Sequence, residues 1–223
     1  MVVFGVAVTD RELFEAIAQP SIRRVAEPDS VVLTRHDRDS IQEPYNEFLE
    51  QASRYSSLEA LVLLHQDLEL LDDSLLRRAR PLLSEPGVGL IGAFGGRRVP
   101  PHYWSEAETL FGRAVTPTVD FHHSAGAHEV EVVDGQLLVV APWVVRTLRF
   151  SEALAADFHG YDVDFSMRVR AAGGRVVRDD VPYCHRMARP WSDPVAVRRA
   201  GWEVAKMWDP AIRPPEWAPT FNR

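Results

Sequence analysis

The chain has 223 residues, 46% of them hydrophobic and 26% charged, with a net charge of −7. That size and balance suit one α/β domain with a sizeable core, and a negative chain without a basic stripe argues against a nucleic-acid partner. The single cysteine, Cys184, excludes an intrachain disulfide and fits a reducing compartment.

Val2–Val8 is a β-branched apolar run that reads as a buried strand. It lacks the basic start and cleavage site of a signal peptide and is too short to span a bilayer. A cytoplasmic chain without a transmembrane segment is therefore expected. Thr9 or Asp10 can cap a helix over Arg11–Ala18, with Leu13, Phe14 and Ile17 on one face. Val31–Leu33 reads as a second strand, and Glu43–Arg54 as a helix with Phe48, Leu49 and Ala52 inward. Ala60–Leu64 is a third strand and runs into His65-Gln66-Asp67. Asp72-Asp73 opens a helix that continues through Leu83, and Gly87–Ala93 is a fourth strand. Strands alternating with helices imply βαβ units and a parallel sheet.

The pattern then changes. Residues 97–128 show no clean period and read as a long loop or lid. Glu129–Val133 and Gln136–Ala141 flank Asp134-Gly135, a hairpin turn signal. Phe158–Ala172 reads as a helix with Phe158, Tyr161, Phe165 and Val169 toward the core. Gly173-Gly174 ends it, and Arg175–Arg178 forms a last strand. The C-terminal segment is rich in Pro and carries Trp191, Trp202, Trp208 and Trp217, with one helix near Val195–Lys206. We expect residues 1–190 to form the domain and residues 191–223 to pack on it as an extension.

In open α/β sheets, ligands bind beyond the carboxyl ends of the strands. The polar residues there are Thr9-Asp10, Arg35-His36-Asp37 and His65-Gln66-Asp67. His65 and Asp67 are two apart, so in extended chain they face one side. A carboxylate at Asp67 can hold a hard divalent cation or cap a turn, and spacing alone slightly favours the turn. His185 suits Mn²⁺ or Zn²⁺ coordination, or a structural hydrogen bond. Asp162 and Asp164 are two apart on a helix and point to different faces. Asp162, at the edge of the core-facing line, is either a site residue or an acid that complements the helix dipole. Asp164 turns outward or pairs with Arg168. Gly92–Gly96 has no Lys-Ser/Thr partner and matches no Walker or dinucleotide fingerprint. Cys184 reads as inert.

Taken in order, several segments resemble the GT-A glycosyltransferases of the family-two type. They are Tyr45-Asn46, Leu63–Asp67, Val133-Asp134-Gly135, Phe158–Asp164, Gly173-Gly174, His185 and Lys206-Met207-Trp208. They resemble most the branch whose strand-end motif reads His-Gln-Asp in place of Asp-x-Asp. The resemblance covers roughly residues 2–190. It implies a GT-A, Rossmann-like α/β fold: a mostly parallel sheet flanked by helices, with a small antiparallel portion in the second half.

The same resemblance implies transfer of a sugar from a nucleotide-diphospho-sugar to an acceptor hydroxyl, with inversion, and a need for Mn²⁺ or Mg²⁺. By that mapping Asp67 and His185 hold the metal and Asp162 is the general base. Asp134 and Gly135 touch the donor sugar or acceptor. His65, Gln66, Thr9, Arg35, Tyr45 and Asn46 belong with donor or acceptor binding. Trp104, in the segment 97–128, stacks on a sugar ring or packs within its loop. The metal stabilises charge on the leaving diphosphate, aided by Arg35, Arg97 and Arg98, and the carboxylate takes the acceptor's proton.

Two departures stand out. His65 replaces the first acid of the motif, and Tyr161 replaces the Glu before Asp162. The acid that reads the base has no match, with Thr34, Arg35 or Asp37 nearest to its place. These departures keep open a catalytically inactive, GT-A-like protein that binds a nucleotide or glycan. A nucleotidyltransferase is a further alternative, but Gly5–Arg11 lacks its glycine-rich, basic phosphate loop.

Overall fold

The β-branched run Val2–Val8 forms β1, and all but one of its residues are buried. The computed structural model describes residues 1–100, 107–118, 120–154, 158–186 and 194–211. After β1 come α1 (Arg11–Ala16), α2 (Ala18–Val25), β2 (Val31–His36), α3 (Gln42–Ser53), β3 (Ala60–Leu64), β4 (Leu68–Leu70) and α4 (Ser74–Leu83). Next are β5 (Val88–Gly92), β6 (Phe94–Arg97), β7 (Thr109–Val115), β8 (Asp120–His123), β9 (His128–Val130), β10 (Val132–Val133) and β11 (Leu137–Val140). The chain continues through α5 (Pro142–Thr147), α6 (Tyr161–Ala171), β12 (Arg175–Arg178), β13 (Tyr183–His185) and α7 (Pro194–Trp208).

The main sheet has seven strands in the order β2-β1-β3-β11-β5-β12-β9. Five run one way: β2, β1 and β3 pair in parallel, as do β5 and β12. β11 runs antiparallel between β3 and β5, and β9 lies antiparallel on β12. Side chains alternate across this sheet. Val2, Phe4, Val6, Val62, Leu64 and Val139 join Phe14, Ile22 and Leu75 of α1, α2 and α4 on one face. Val3, Leu61, Leu63, Leu138 and Val140 join Phe48, Val144 and Phe165 of α3, α5 and α6 on the other. A sheet apolar on both faces must be covered by helices on both, which is why its strands read as continuous apolar runs.

The structure differs from the sequence reading in several places. Residues 97–128 are not all loop: β7 and β8 pair with each other, and β7 pairs with β6, in a four-stranded antiparallel sheet ordered β10-β6-β7-β8. Asp134-Gly135 closes no hairpin, because β10 before it pairs with β6 while β11 after it pairs with β3 and β5. The first helix breaks at Ile17, which ends α1 and precedes α2. That break puts Pro20 in the first turn of α2, where its missing N–H costs no intrahelical bond. Phe158 is 40% exposed and precedes α6, whose core contacts come from Tyr161, Phe165 and Val169. Beyond α6, Gly173 takes a φ of +82°, the left-handed ending that favours glycine.

Among the described residues, no helix is long and apolar enough to cross a membrane. Phe165 is fully buried and stacks on Phe150 with ring centroids 3.9 Å apart. Truncating it empties the contact between α6 and the sheet. Phe165→Ala is expected to lower the unfolding free energy by about 3–5 kcal/mol, measured by urea denaturation.

Candidate active site

β3 ends at Leu64, and the chain turns through His65, Gln66 and Asp67 into β4. β4 pairs antiparallel with β13, and the register sets His185 opposite Leu68. The Arg186 N–H donates to the Asp67 carbonyl at 2.7 Å and extends that pairing. His185 is thereby carried to Asp67, with its Nε2 3.1 Å from Asp67 Oδ1. His65 forms the third corner: one ligand atom from each of the three residues lies within 4.8 Å of the others. Two donors at right angles, each about 2.1 Å from one ion, sit about 3 Å apart. The Asp67–His185 spacing matches that value, so these residues fit a shared divalent cation. That contact makes Nε2 the nitrogen His185 presents to the site.

The electrostatics favour the metal-binding forms. Burial pushes the Asp67 carboxyl up, but the hydrogen bond from His185 and the proximity of both imidazoles outweigh it and hold the group below its ordinary value. Burial, with His185 close by, depresses the His65 imidazole to about 4. An ionised carboxylate and a neutral imidazole are the states that bind metal.

Opposite this cluster lies the Asp134–Gly135 turn. The Gly135 N–H donates to Asp162 Oδ2 at 3.0 Å, and the Val163 N–H to Oδ1 at 2.9 Å. Asp162 is 8% exposed, and burial raises its carboxyl above the usual range. Asp134 Oδ1 accepts from the Gln136 N–H at 2.9 Å. Burial, and then the nearby charge of Asp162, push Asp134 up to about 7. A Cβ on Gly135 would sit 2.2 Å from the Tyr161 hydroxyl oxygen, so a side chain there would displace Tyr161. That hydroxyl lies 2.7 Å from His65 Nε2. The carboxylate turn and the His65 corner are thus joined through Tyr161.

The other predicted residues are placed as follows. Gln66 clamps the ends of β1 and β3, accepting from the Thr9 and Asp10 N–H groups at 2.9 Å each and donating to Thr9 Oγ1 at 2.8 Å. Arg35 is turned to α3, paired with Glu47 and lying over the Phe48 ring. Tyr45 is fully buried, edge-on to Tyr161 and Phe150. Asn46 ties α3 to Phe150, donating to its carbonyl at 3.0 Å and accepting its N–H at 2.8 Å. Arg97 binds the Glu129 carbonyl, and Arg98 pairs with Glu108. Asp164 does not face outward: it is fully buried and bonded to Arg168 at 2.6 Å and to Trp208 Nε1 at 3.0 Å. Trp104 lies outside the described residues. Sequence reasoning missed the pairing of β4 with β13 and the link from Tyr161 to His65. The alternation Leu68-Glu69-Leu70 was the available signal for β4.

The Asp134 shift carries a sign. The folded chain keeps a proton on Asp134 that the unfolded chain releases near 3.8, so between there and about 7 the folded state binds more protons. Stability therefore falls as pH rises through that window and levels off above it. Asp134→Asn is expected to stabilise the protein more at pH 8 than at pH 4 in metal-free buffer, measured by urea unfolding. An equal effect at both pH values contradicts the assignment.

Comparison with known proteins identifies the family and the fold of the chain. A family model described as "Glycosyltransferase like family" matches residues 3–194. The streptomycin biosynthesis protein StrF of Streptomyces griseus is 35% identical over 182 residues, which is 81% of this chain. The chain spans 64% of that relative's length. Among solved structures, the mannosyltransferase PcManGT from Pyrobaculum calidifontis, in complex with GDP-Man and Mn²⁺, superposes with a TM-score of 0.57 at 15% identity. That match covers 98% of this chain and 65% of the other. GalNAc-T7 with UDP, GalNAc and Mn²⁺ gives 0.57 at 7% identity, over 84% and 44% of the two chains. At such identities the likeness is one of fold, and the fold is GT-A. With a family match over most of its length and this fold, the chain belongs to the glycosyltransferase-like family.

Proposed function

We propose that the protein transfers a sugar from a nucleotide-diphospho-sugar to an acceptor hydroxyl, with inversion at the anomeric carbon and dependence on a divalent cation. The observation that carries this reading is the Asp67–His185 pair at the carboxyl end of β3, with Asp162 buried beside the Asp134–Gly135 turn. Asp67 and His185 would hold the cation. Bound there, it supplies a Lewis acid for the charge that develops on the departing diphosphate.

Asp162 is suited to general base. Its raised carboxyl brings proton affinity closer to neutral pH, where base catalysis works best. Each of its oxygens already accepts one backbone N–H, which fixes its orientation and leaves further lone pairs for a substrate proton. The acceptor's proton passes to Asp162 as its oxygen attacks the anomeric carbon and the sugar–phosphate bond breaks. In the reading proposed here this is a single displacement, which inverts the centre. Asp134, titrating near neutrality, can donate to or accept from a sugar hydroxyl. Structures of the same fold solved with GDP-Man and with UDP, each with Mn²⁺, support this donor class.

A panel of UDP-, GDP- and dTDP-sugars with Mn²⁺ tests the reading. The right donor at a hundred times its Kd is expected to raise the melting temperature by about 5–10 °C. Asp67→Ala should abolish that shift. Asp162→Asn should keep it but slow transfer by about 10²–10⁴-fold, read as product formed per enzyme. A wild-type protein unmoved by every donor would refute the proposal, and full transfer by Asp162→Asn would remove the base from it.

A further inference from the structure

His65 stands where the resembled motif carries an acid, and its surroundings give it a use. Its backbone N–H is held by the Gln136 carbonyl at 3.1 Å. Its Nε2 is 2.7 Å from the Tyr161 hydroxyl. Tyr161 is itself fixed: it is 3% exposed, edge-on to Tyr45 at 5.8 Å and tilted against Phe150 at 6.1 Å. Gly135 leaves the space its hydroxyl occupies. With Nε2 engaged by Tyr161, Nδ1 is the nitrogen left for a cation. One ring nitrogen of His65 already lies within 4.8 Å of the ligand atoms of Asp67 and His185. Metal-bound histidines ordinarily give their other ring N–H to a fixed acceptor, and the Tyr161 oxygen is one.

We infer that His65 is a third protein ligand to the cation, that Tyr161 is its positioning residue, and that the resulting His–Asp–His set takes Mn²⁺ in preference to Mg²⁺. The inference rests on the cation site proposed above. Mg²⁺ demands near-ideal octahedral oxygen ligation and gives up water reluctantly. Imidazole suits first-row transition ions better than Mg²⁺. Exchanging a carboxylate for a second imidazole removes one negative charge and one oxygen donor, and Mg²⁺ loses more by that exchange than Mn²⁺. Tyr161 precedes Asp162 on α6, so the residue that orients a metal ligand sits next to the proposed base. Cation and base are then set by one helix start.

Mn²⁺ binding to the full chain, followed by loss of the free-ion electron paramagnetic resonance signal with Mg²⁺ as competitor, tests this without any donor or turnover. Wild type is expected to bind Mn²⁺ at least about tenfold more tightly than Mg²⁺. His65→Ala and Tyr161→Phe should each weaken Mn²⁺ binding by about 10–100-fold, and His65→Asp should narrow the gap between the two ions. The melting temperatures of the metal-free variants separate this loss from unfolding, since Tyr161→Phe keeps the ring and its packing. Wild-type Mn²⁺ affinity in His65→Ala or Tyr161→Phe, or equal affinities of wild type for the two ions, overturns the inference. If that happens while Mn²⁺ and a nucleotide-sugar still raise the melting temperature, the proposed function stands. If wild type binds neither Mn²⁺ nor any donor, both fall.

Discussion

β11 runs against both of its neighbours, and the candidate site depends on that reversal. Because β3 and β11 are antiparallel, the first residue of β11, Leu137, lies opposite the last residue of β3, Leu64. The chain entering β11 therefore arrives at the ligand-binding end of the sheet. It brings the Asp134–Gly135 turn with it, and the His65 N–H closes the junction on the Gln136 carbonyl. A parallel β11 would begin at the far edge, about 15 Å away at 3.3 Å per residue. Neither the contact of Gly135 with Asp162 nor the room for Tyr161 would then exist at the end of β3.

The second half of the chain is organised around buried charge. α6 carries two carboxylates, and each uses a different face: Asp162 is held by the Gly135 N–H, while Asp164 is bonded to Arg168 and to Trp208 on α7. The second set ties α7 to α6, so the helix that presents Asp162 is braced from behind. Arg178 does similar work at the end of β12. It is fully buried, and its guanidinium donates to the Ser124 carbonyl at 2.6 Å and to Asp180 at 2.8 Å. A buried cation needs such acceptors to offset its lost hydration, and here they fix the return from β8 into β9. Burial therefore both orders the loops around the sheet and raises the carboxyls that face the turn.

Much of the fold was legible because the central strands are apolar on both faces. β1, β3, β5 and α3 stand within a residue or so of where the apolar runs put them. An antiparallel portion in the second half was implied by the family resemblance, but its individual strands were not legible, for the opposite reason. β6, β7 and β8 belong to a second, smaller sheet, where Gly, Arg and His interrupt any alternation. β4 and β13 are three residues each, too short for a period to declare itself. The Asp134-Gly135 dipeptide is a hairpin signal by local chemistry, yet β10 and β11 found different partners, and burial of Leu137–Val140 between β3 and β5 outweighed the local preference. Ile17 broke a helix that periodicity alone would have continued.

The sequence by itself determined the fold class and the chemical types offered at the site: a carboxylate after the third strand, a carboxylate at a helix start and a late histidine. Their order along the chain was enough for the family resemblance. Only the tertiary structure decided which of them meet. Asp67 and His185 are 118 residues apart in sequence, and His65 and Tyr161 are 96 apart. These contacts depend on the register of β4 against β13 and on the direction of β11 beside β3. Register and direction are chosen by long-range hydrogen bonding and burial, which no local pattern encodes.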